Sequence, residues 1–270
     1  MATLRVRPHT RDATGTVLEV TPQSAGWSHV GFRLVKLADG ERFSGGEPAR
    51  ETCLVLVSGA ADVQAGDVRF DGIGGRATPF EDRAPGAVYV PAGTDYTVIA
   101  RGPVELAVCS APGRGAGEPR LIADADMSRE TRGTGTNTRH VRNILPQTQP
   151  ADSLLVVEVI TPGGHWSSYP PHKHDTATTA EETALEETYY HRLQPPQGFA
   201  FQRVYTDDRS LDETVCVEDG DLVMVPRGYH PVGAPHGYDL YYLNVMAGPT
   251  REWIFRNDPA HDWIVRKPKG

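Results

Sequence analysis

The stretch DLVMVPRGYH, residues 221–230, is an apolar run of β-strand length, stopped by Pro226 and turned at Gly228. Proline has no N–H for a sheet ladder and glycine takes up a tight turn, so this is a strand with an abrupt end. The pattern recurs at GAVYVPAGTD, residues 86–95, where Val-Pro-x-Gly again closes a short apolar run. A glutamate-led, strand-like run precedes each copy, ETCLVLVSG at 51–59 and ETYYHRL at 187–193. Two such pairs at similar spacing are the mark of an internal repeat, and they predict two copies of one small β-barrel.

The rest of the 270 residues agrees with an all-β chain. Gly (28) and Pro (22) punctuate short runs rich in Val, Leu, Tyr and Phe and form no low-complexity tracts. Strands are predicted at 30–37, 52–57, 87–90, 96–100, 105–110, 154–161, 188–193, 198–205, 221–225 and 238–246. Only 123–128 and 180–187 offer short helices. The net charge of −8, without a Lys/Arg stripe, argues against nucleic acid as a partner. No apolar stretch has the length of a membrane span and the N-terminus shows no signal-peptide core, so a cytoplasmic protein away from membranes is expected. Cys53, Cys109 and Cys216 lie far apart in apolar surroundings, as buried thiols of a reducing compartment would.

PHKHD, residues 171–175, carries the chemistry. On an extended chain His172 and His174 share a face, and by the same parity Glu187, Tyr189 and His191 share one. His230 follows Pro-x-Gly, where a turn can aim it back into a barrel mouth. Three imidazoles and a carboxylate suit one divalent cation, Zn²⁺ or Mn²⁺ with Fe²⁺ also admissible, that keeps positions open for substrate. The first copy has no His-x-His, has Asp95 in the place of His230, and shows Cys53 and Val55 where Tyr189 and His191 stand. The expectation is a degenerate, metal-free N-terminal barrel over 1–128 and a metal-carrying C-terminal barrel over 129–270, joined near 132–137.

The His-x-His, Glu and Pro-x-Gly-x-His layout resembles the two short motifs of the cupin superfamily, and its half-degenerate duplication resembles a bicupin of two jelly-roll barrels in tandem. LEETYYHRL, GFAFQRVYTDD, VPRGYHPV, GYDLYYLNVMAGPTREW and DPAHDWI together resemble the bacterial 5-deoxy-glucuronate isomerases of inositol catabolism, relatives of the 5-keto-4-deoxyuronate isomerases of pectin breakdown. The likeness is densest over 131–263. It implies an intramolecular oxidoreductase, an aldose–ketose isomerase converting 5-deoxy-D-glucuronate to 2-deoxy-5-keto-D-gluconate, without an organic cofactor. The metal ligands would be His172, His174, Glu187 and His230, with Glu186 a rival to Glu187; Glu187 is preferred because it aligns with Glu51. His191 is the first candidate for the base and Tyr189 the second. The uronate carboxylate would be met by Arg203 and Arg251, with Arg139 a weaker candidate, and Tyr241, Tyr242 and Asn244 would line the pocket. A homo-oligomer is expected. A cupin dioxygenase and a non-catalytic sugar-binding cupin are the alternatives, and proton transfer against hydride shift stays open.

Overall fold

The computed structural model describes residues 3–115 and 117–265. Among them the chain is nearly all β, with one four-residue α-helix, Pro22–Ala25, and three 3-10 turns. The N-terminal half forms an eight-stranded sheet. Its spatial order is Thr16–Val20, Gly31–Leu37, Tyr96–Pro112, Arg50–Ala65, Gly86–Val90 and Arg120–Ile122. Arg42–Gly45 joins Tyr96–Pro112, and Val68–Arg76 joins Arg50–Ala65.

Two of these strands are longer than their apolar runs suggest: the runs at 96–100 and 105–110 are one strand, and the run at 52–57 continues to Ala65. Arg50–Ala65 pairs with Gly86–Val90 by its first part and with Val68–Arg76 by its second. The change falls at Gly59, whose φ of +87° and approach to Pro103 exclude a side chain: a Cβ would lie 2.2 Å from the Pro103 carbonyl oxygen.

In the C-terminal half a seven-stranded sheet runs Arg5–Val6, Leu222–Val225, Glu186–Gln194, Asp239–Ala247, Leu155–Thr161, Arg139–Leu145 and Ser128–Arg132. A four-stranded sheet of Trp166–Ser167, Val232–Gly233, Phe199–Tyr205 and Asp212–Glu218 packs against it. Strand alternation splits the large sheet's side chains between two cores. Tyr189, Tyr242 and Met246 enter the core between these two sheets, while Tyr190, Tyr241 and Val245 enter a core shared with the N-terminal half.

Several expectations are corrected here. The segment 180–187 is no helix: Glu182–Ala184 and the start of Glu186–Gln194 are strands, because the Leu185 N–H donates to the His174 carbonyl in a sheet-like pairing. At 123–128 only a 3-10 turn forms, Asp124–Asp126. Residues 133–137 do not link the halves; they connect Ser128–Arg132 to its hairpin partner Arg139–Leu145. The N-terminal Arg5–Val6 crosses over to pair with Leu222 and Val223 of the C-terminal half. Cys216 is exposed, unlike the buried Cys53 and Cys109. Cys53 and Val55 face the shared core, and Leu54 and Leu56 point into the N-terminal half's own interior.

Candidate metal centre

His172 belongs to a two-residue strand, His172–Lys173, that pairs with Arg256–Asn257, and His174 follows it with the same facing. His230 stands two residues after Gly228, whose φ of +89° and a would-be Cβ 2.4 Å from the Tyr205 carbonyl oxygen admit only glycine. This turn brings His230 to the pair: one ring nitrogen each from His172, His174 and His230 lies within 4.8 Å of the others, and all three residues are buried. Glu187 Oε2 is 3.1 Å from His174 Nε2 and 3.2 Å from His230 Nε2.

The donor set fits a cation. His230 Nδ1 is 2.9 Å from the Gly228 carbonyl oxygen and His174 Nδ1 is 3.2 Å from that of Leu185. At His230 an Nδ1–H donated to the carbonyl leaves Nε2 as a lone pair, the arrangement of a metal-ligating histidine, whereas His174 Nε2 is hydrogen-bonded to Glu187. His230 Nε2 makes no hydrogen bond although Glu187 is close, since the two are not aligned for one. A buried lone pair facing a carboxylate is unfavourable unless a positive charge stands between them. Burial pushes His172 well below the ordinary histidine pKa, and the neighbouring His230 and His174 add to this. Burial likewise takes His230 down to about 4 against the attraction of Glu187. At His174 burial is outweighed by the hydrogen bond and charge of Glu187, and the pKa is raised. His172 and His230 are thus held neutral, as metal binding requires.

Glu187, and not Glu186, faces the imidazoles, but not for the reason expected. Val225 of Val-Pro-x-Gly pairs with Glu187, whereas its counterpart Val90 pairs with Thr52. The true counterpart of Glu51 is Glu186, and the two carboxylates do the same work. Glu186 accepts the N–H groups of Ser28, His29 and Val30 at 2.7 to 2.9 Å, and Glu51 those of Asp152, Ser153 and Leu154 at 2.6 to 2.7 Å. Each half thereby anchors the chain entering a seven-residue strand of the other, Gly31–Leu37 and Leu155–Thr161.

Around the cluster, Tyr189 lies with its ring centroid 5.7 Å from that of His230 and 4.8 Å from that of Tyr242. Its hydroxyl is 2.9 Å from Ser168 Oγ, and Asn244 is its cross-strand neighbour. His191 sits one step deeper, 5.9 Å from Tyr189, with Nε2 3.1 Å from Gln202 Oε1 and Nδ1 without a hydrogen-bond partner. Burial lowers its pKa to about 3. Gln202, Ser167, Ser168 and Phe255 escaped the sequence reading. Gln202 had a legible signal, as the one polar residue on the inward parity of Ala200 and Val204. Phe255, 4.5 Å from His172 between ring centroids, had none.

Three expected substrate residues lie elsewhere. Arg203 is on the outward parity of its strand, paired with Asp212 at 2.7 Å and stacked on Tyr205. Arg251 donates to the backbone carbonyls of Pro146, Gln147, Gln149 and Leu154, tying down a loop. Tyr241 faces the other half and donates to Glu158 at 3.2 Å. Tyr242 and Asn244 do point into the interior.

Lys173 and Asp175 point away from the imidazoles, yet they are not idle. Lys173 Nζ is buried between Asp175 at 2.6 Å and Glu182 at 3.0 Å, and Asp175 Oδ2 accepts the Gly228 N–H at 2.8 Å. Burial would raise the Asp175 pKa, but Lys173 and Thr176 hold it low. Asp175 thus locks the turn that aims His230. Asp175→Asn is expected to lower metal affinity about 10- to 100-fold with the fold retained, as changes behind a metal ligand do; competition with a chromogenic chelator measures it. Unchanged affinity would remove Asp175 from this role.

The β architecture is that of the cupin fold. Oxalate decarboxylase of Bacillus subtilis, solved with Mn(II) centres, shares the fold with a TM-score of 0.65 over 95% of this chain and 80% of that one; at 13% identity it speaks for the fold alone. More narrowly, the chain belongs to the KduI/IolB family, which matches residues 4–264. It is 53% identical over 265 residues to a 5-deoxy-glucuronate isomerase of Geobacillus kaustophilus, covering 98% of this chain and 96% of the relative. A 5-deoxy-glucuronate isomerase of Bacillus subtilis is 48% identical over 252 residues, 93% of each chain. A crystal structure of an IolB-like protein from Salmonella typhimurium superposes with a TM-score of 0.95 at 52% identity, over 98% of this chain and all of that one.

Proposed function

We propose that this chain is a metal-dependent aldose–ketose isomerase that converts 5-deoxy-D-glucuronate to 2-deoxy-5-keto-D-gluconate. One observation carries the reading: near full-length identity of 53% to an enzyme of that name. The buried cluster is the part of the molecule that could perform it. His172, His174, Glu187 and His230 would hold one divalent ion, Zn²⁺, Mn²⁺ or Fe²⁺. Such an ion supplies Lewis-acid polarisation of two neighbouring substrate oxygens.

The isomerisation moves one hydrogen from C2 to C1 and one from the C2 oxygen to the C1 oxygen, so electrons balance without a redox cofactor. Burial raises the Tyr189 phenol well above its ordinary pKa, which makes it a donor to an oxygen and not a base. His191 is uncharged, and its Nε2 contact with Gln202 leaves Nδ1 as the acceptor. We assign Tyr189 to the substrate oxygens and His191 to positioning behind it, with Tyr242 and Asn244 lining the site. We also read the halves as two barrels in tandem, 1–128 and 129–270 apart from the crossing strand Arg5–Val6, of which the second holds the metal. A cytosolic homo-oligomer completes the reading.

Proton NMR of the metal-restored protein under nitrogen tests it. Interconversion of the two sugar acids is expected, and a chelator should abolish it. No interconversion under nitrogen, or oxygen uptake coupled to turnover in a parallel assay in air, would sink the proposal. Solvent deuterium in the product made in D₂O would mark proton transfer; its absence would mark a hydride shift.

A further inference from the structure

With Arg203 and Arg251 engaged elsewhere, the carboxylate of a uronate needs another cation. Arg139 opens the strand Arg139–Leu145, which lies beside the edge strand Ser128–Arg132 of the seven-stranded sheet. It shares a strand face with Val141, which packs into the same interior core as Tyr189 and Tyr242. Its Nη1 donates to the carbonyls of Asn137 and Tyr169 at 3.1 Å each, and Tyr169 stands three residues before His172. No hydrogen bond links its Nε or Nη2 to any of the described residues.

The position is electrostatically unusual. Arg132 stands directly opposite Arg139 in the hairpin, and like charges facing across strands destabilise a sheet. The nearby carboxylate, Glu130, is held by Arg132 at 2.6 Å. Arg139 therefore has a half-buried positive charge and no carboxylate of its own among the described residues. Burial lowers its pKa; Tyr242 opposes this, and the Arg132 charge adds to it. A ring path connects this corner to the centre: Arg132 lies 4.9 Å over Trp253, Trp253 is 6.1 Å from Phe255, and Phe255 covers His172.

We propose that Arg139, through the free edge of its guanidinium, is the residue that receives the substrate carboxylate and selects sugar acids over neutral sugars. Arg132 adds positive charge beside it. The fork of Nε and Nη2 matches a carboxylate bidentately, so the far end of a six-carbon acid is held while its aldehyde end reaches the imidazole cluster. This rests on the isomerase reading for its substrate class.

Equilibrium titration of the metal-loaded chain with D-glucuronate and with uncharged D-glucose tests the carboxylate alone. Wild type should prefer the acid, and Arg139→Gln should weaken glucuronate about 10- to 100-fold while leaving glucose unchanged. Arg139→Lys keeps a donor for the Tyr169 carbonyl and so guards against misfolding; it should lose about tenfold for the acid only, since an ammonium has no fork. The inference is overturned if wild type binds both sugars equally, if either folded variant keeps the full preference, or if both ligands weaken together. A wild type that prefers glucuronate yet never isomerises 5-deoxy-glucuronate would keep the subsite and sink the isomerase reading.

Discussion

Glu187→Gln is expected to leave a folded protein whose metal affinity is lower by more than about a hundredfold and whose isomerisation is lost. Altering a residue behind a metal ligand costs about 10- to 100-fold, and removing a ligand's charge must cost more. Glu187 is 1% exposed, and its carboxylate reaches two of the three imidazoles, so no solvent group can replace it. Its neighbour should behave in the opposite way. Glu186→Gln leaves one carbonyl where two carboxylate oxygens had accepted three backbone N–H groups, and a hydrogen bond to a charged group is worth about 1.5–3 kcal/mol. A lower Tm with metal content preserved is expected. Elemental analysis and thermal melts of the two variants decide the matter, and an exchange of the two phenotypes would reverse the assignment.

Glu158→Ala is expected to be the most destabilising single change outside the metal centre. Arg76 is fully buried, and its two terminal nitrogens reach the two Glu158 oxygens at 3.1 and 2.8 Å. Arg142 and the Tyr241 hydroxyl complete the set, which joins the two halves. Removing the carboxylate strands the Arg76 charge in the shared core, a loss of about 3–5 kcal/mol for a buried pair broken on one side. For a chain of this size that corresponds to a Tm lower by roughly 10 °C. The double variant Arg76→Met with Glu158→Leu should recover part of the loss, because it removes the fully buried charge together with its carboxylate and leaves only Arg142, which also faces Asp82 at 3.7 Å. A melt showing the double variant worse than Glu158→Ala would contradict this account of the core.

These contrasts show where local reading succeeds. The strands announced themselves through Val, Tyr and Leu runs closed by Pro-x-Gly, since a missing N–H and a positive φ are properties of the residues themselves. His172 and His174 were legible for the same reason, because alternation along an extended chain needs no knowledge of the partner strand. Gln202 and Arg203 could have been told apart by that rule, had the inward parity of Ala200 and Val204 been followed. Bends such as Gly59 were not legible, because only the approach of Pro103 from another strand makes a side chain impossible there.

By itself, the sequence determined an all-β chain and singled out the histidines that the fold brings together, both of which follow from short-range stereochemistry. The tertiary structure alone decided which of two adjacent glutamates faces the imidazoles, that Tyr241 and Arg251 serve packing between segments, and that Arg139 is left with a charge to be met. Adjacent residues on a strand point to opposite faces, and only the pairing of distant strands establishes which face becomes the pocket.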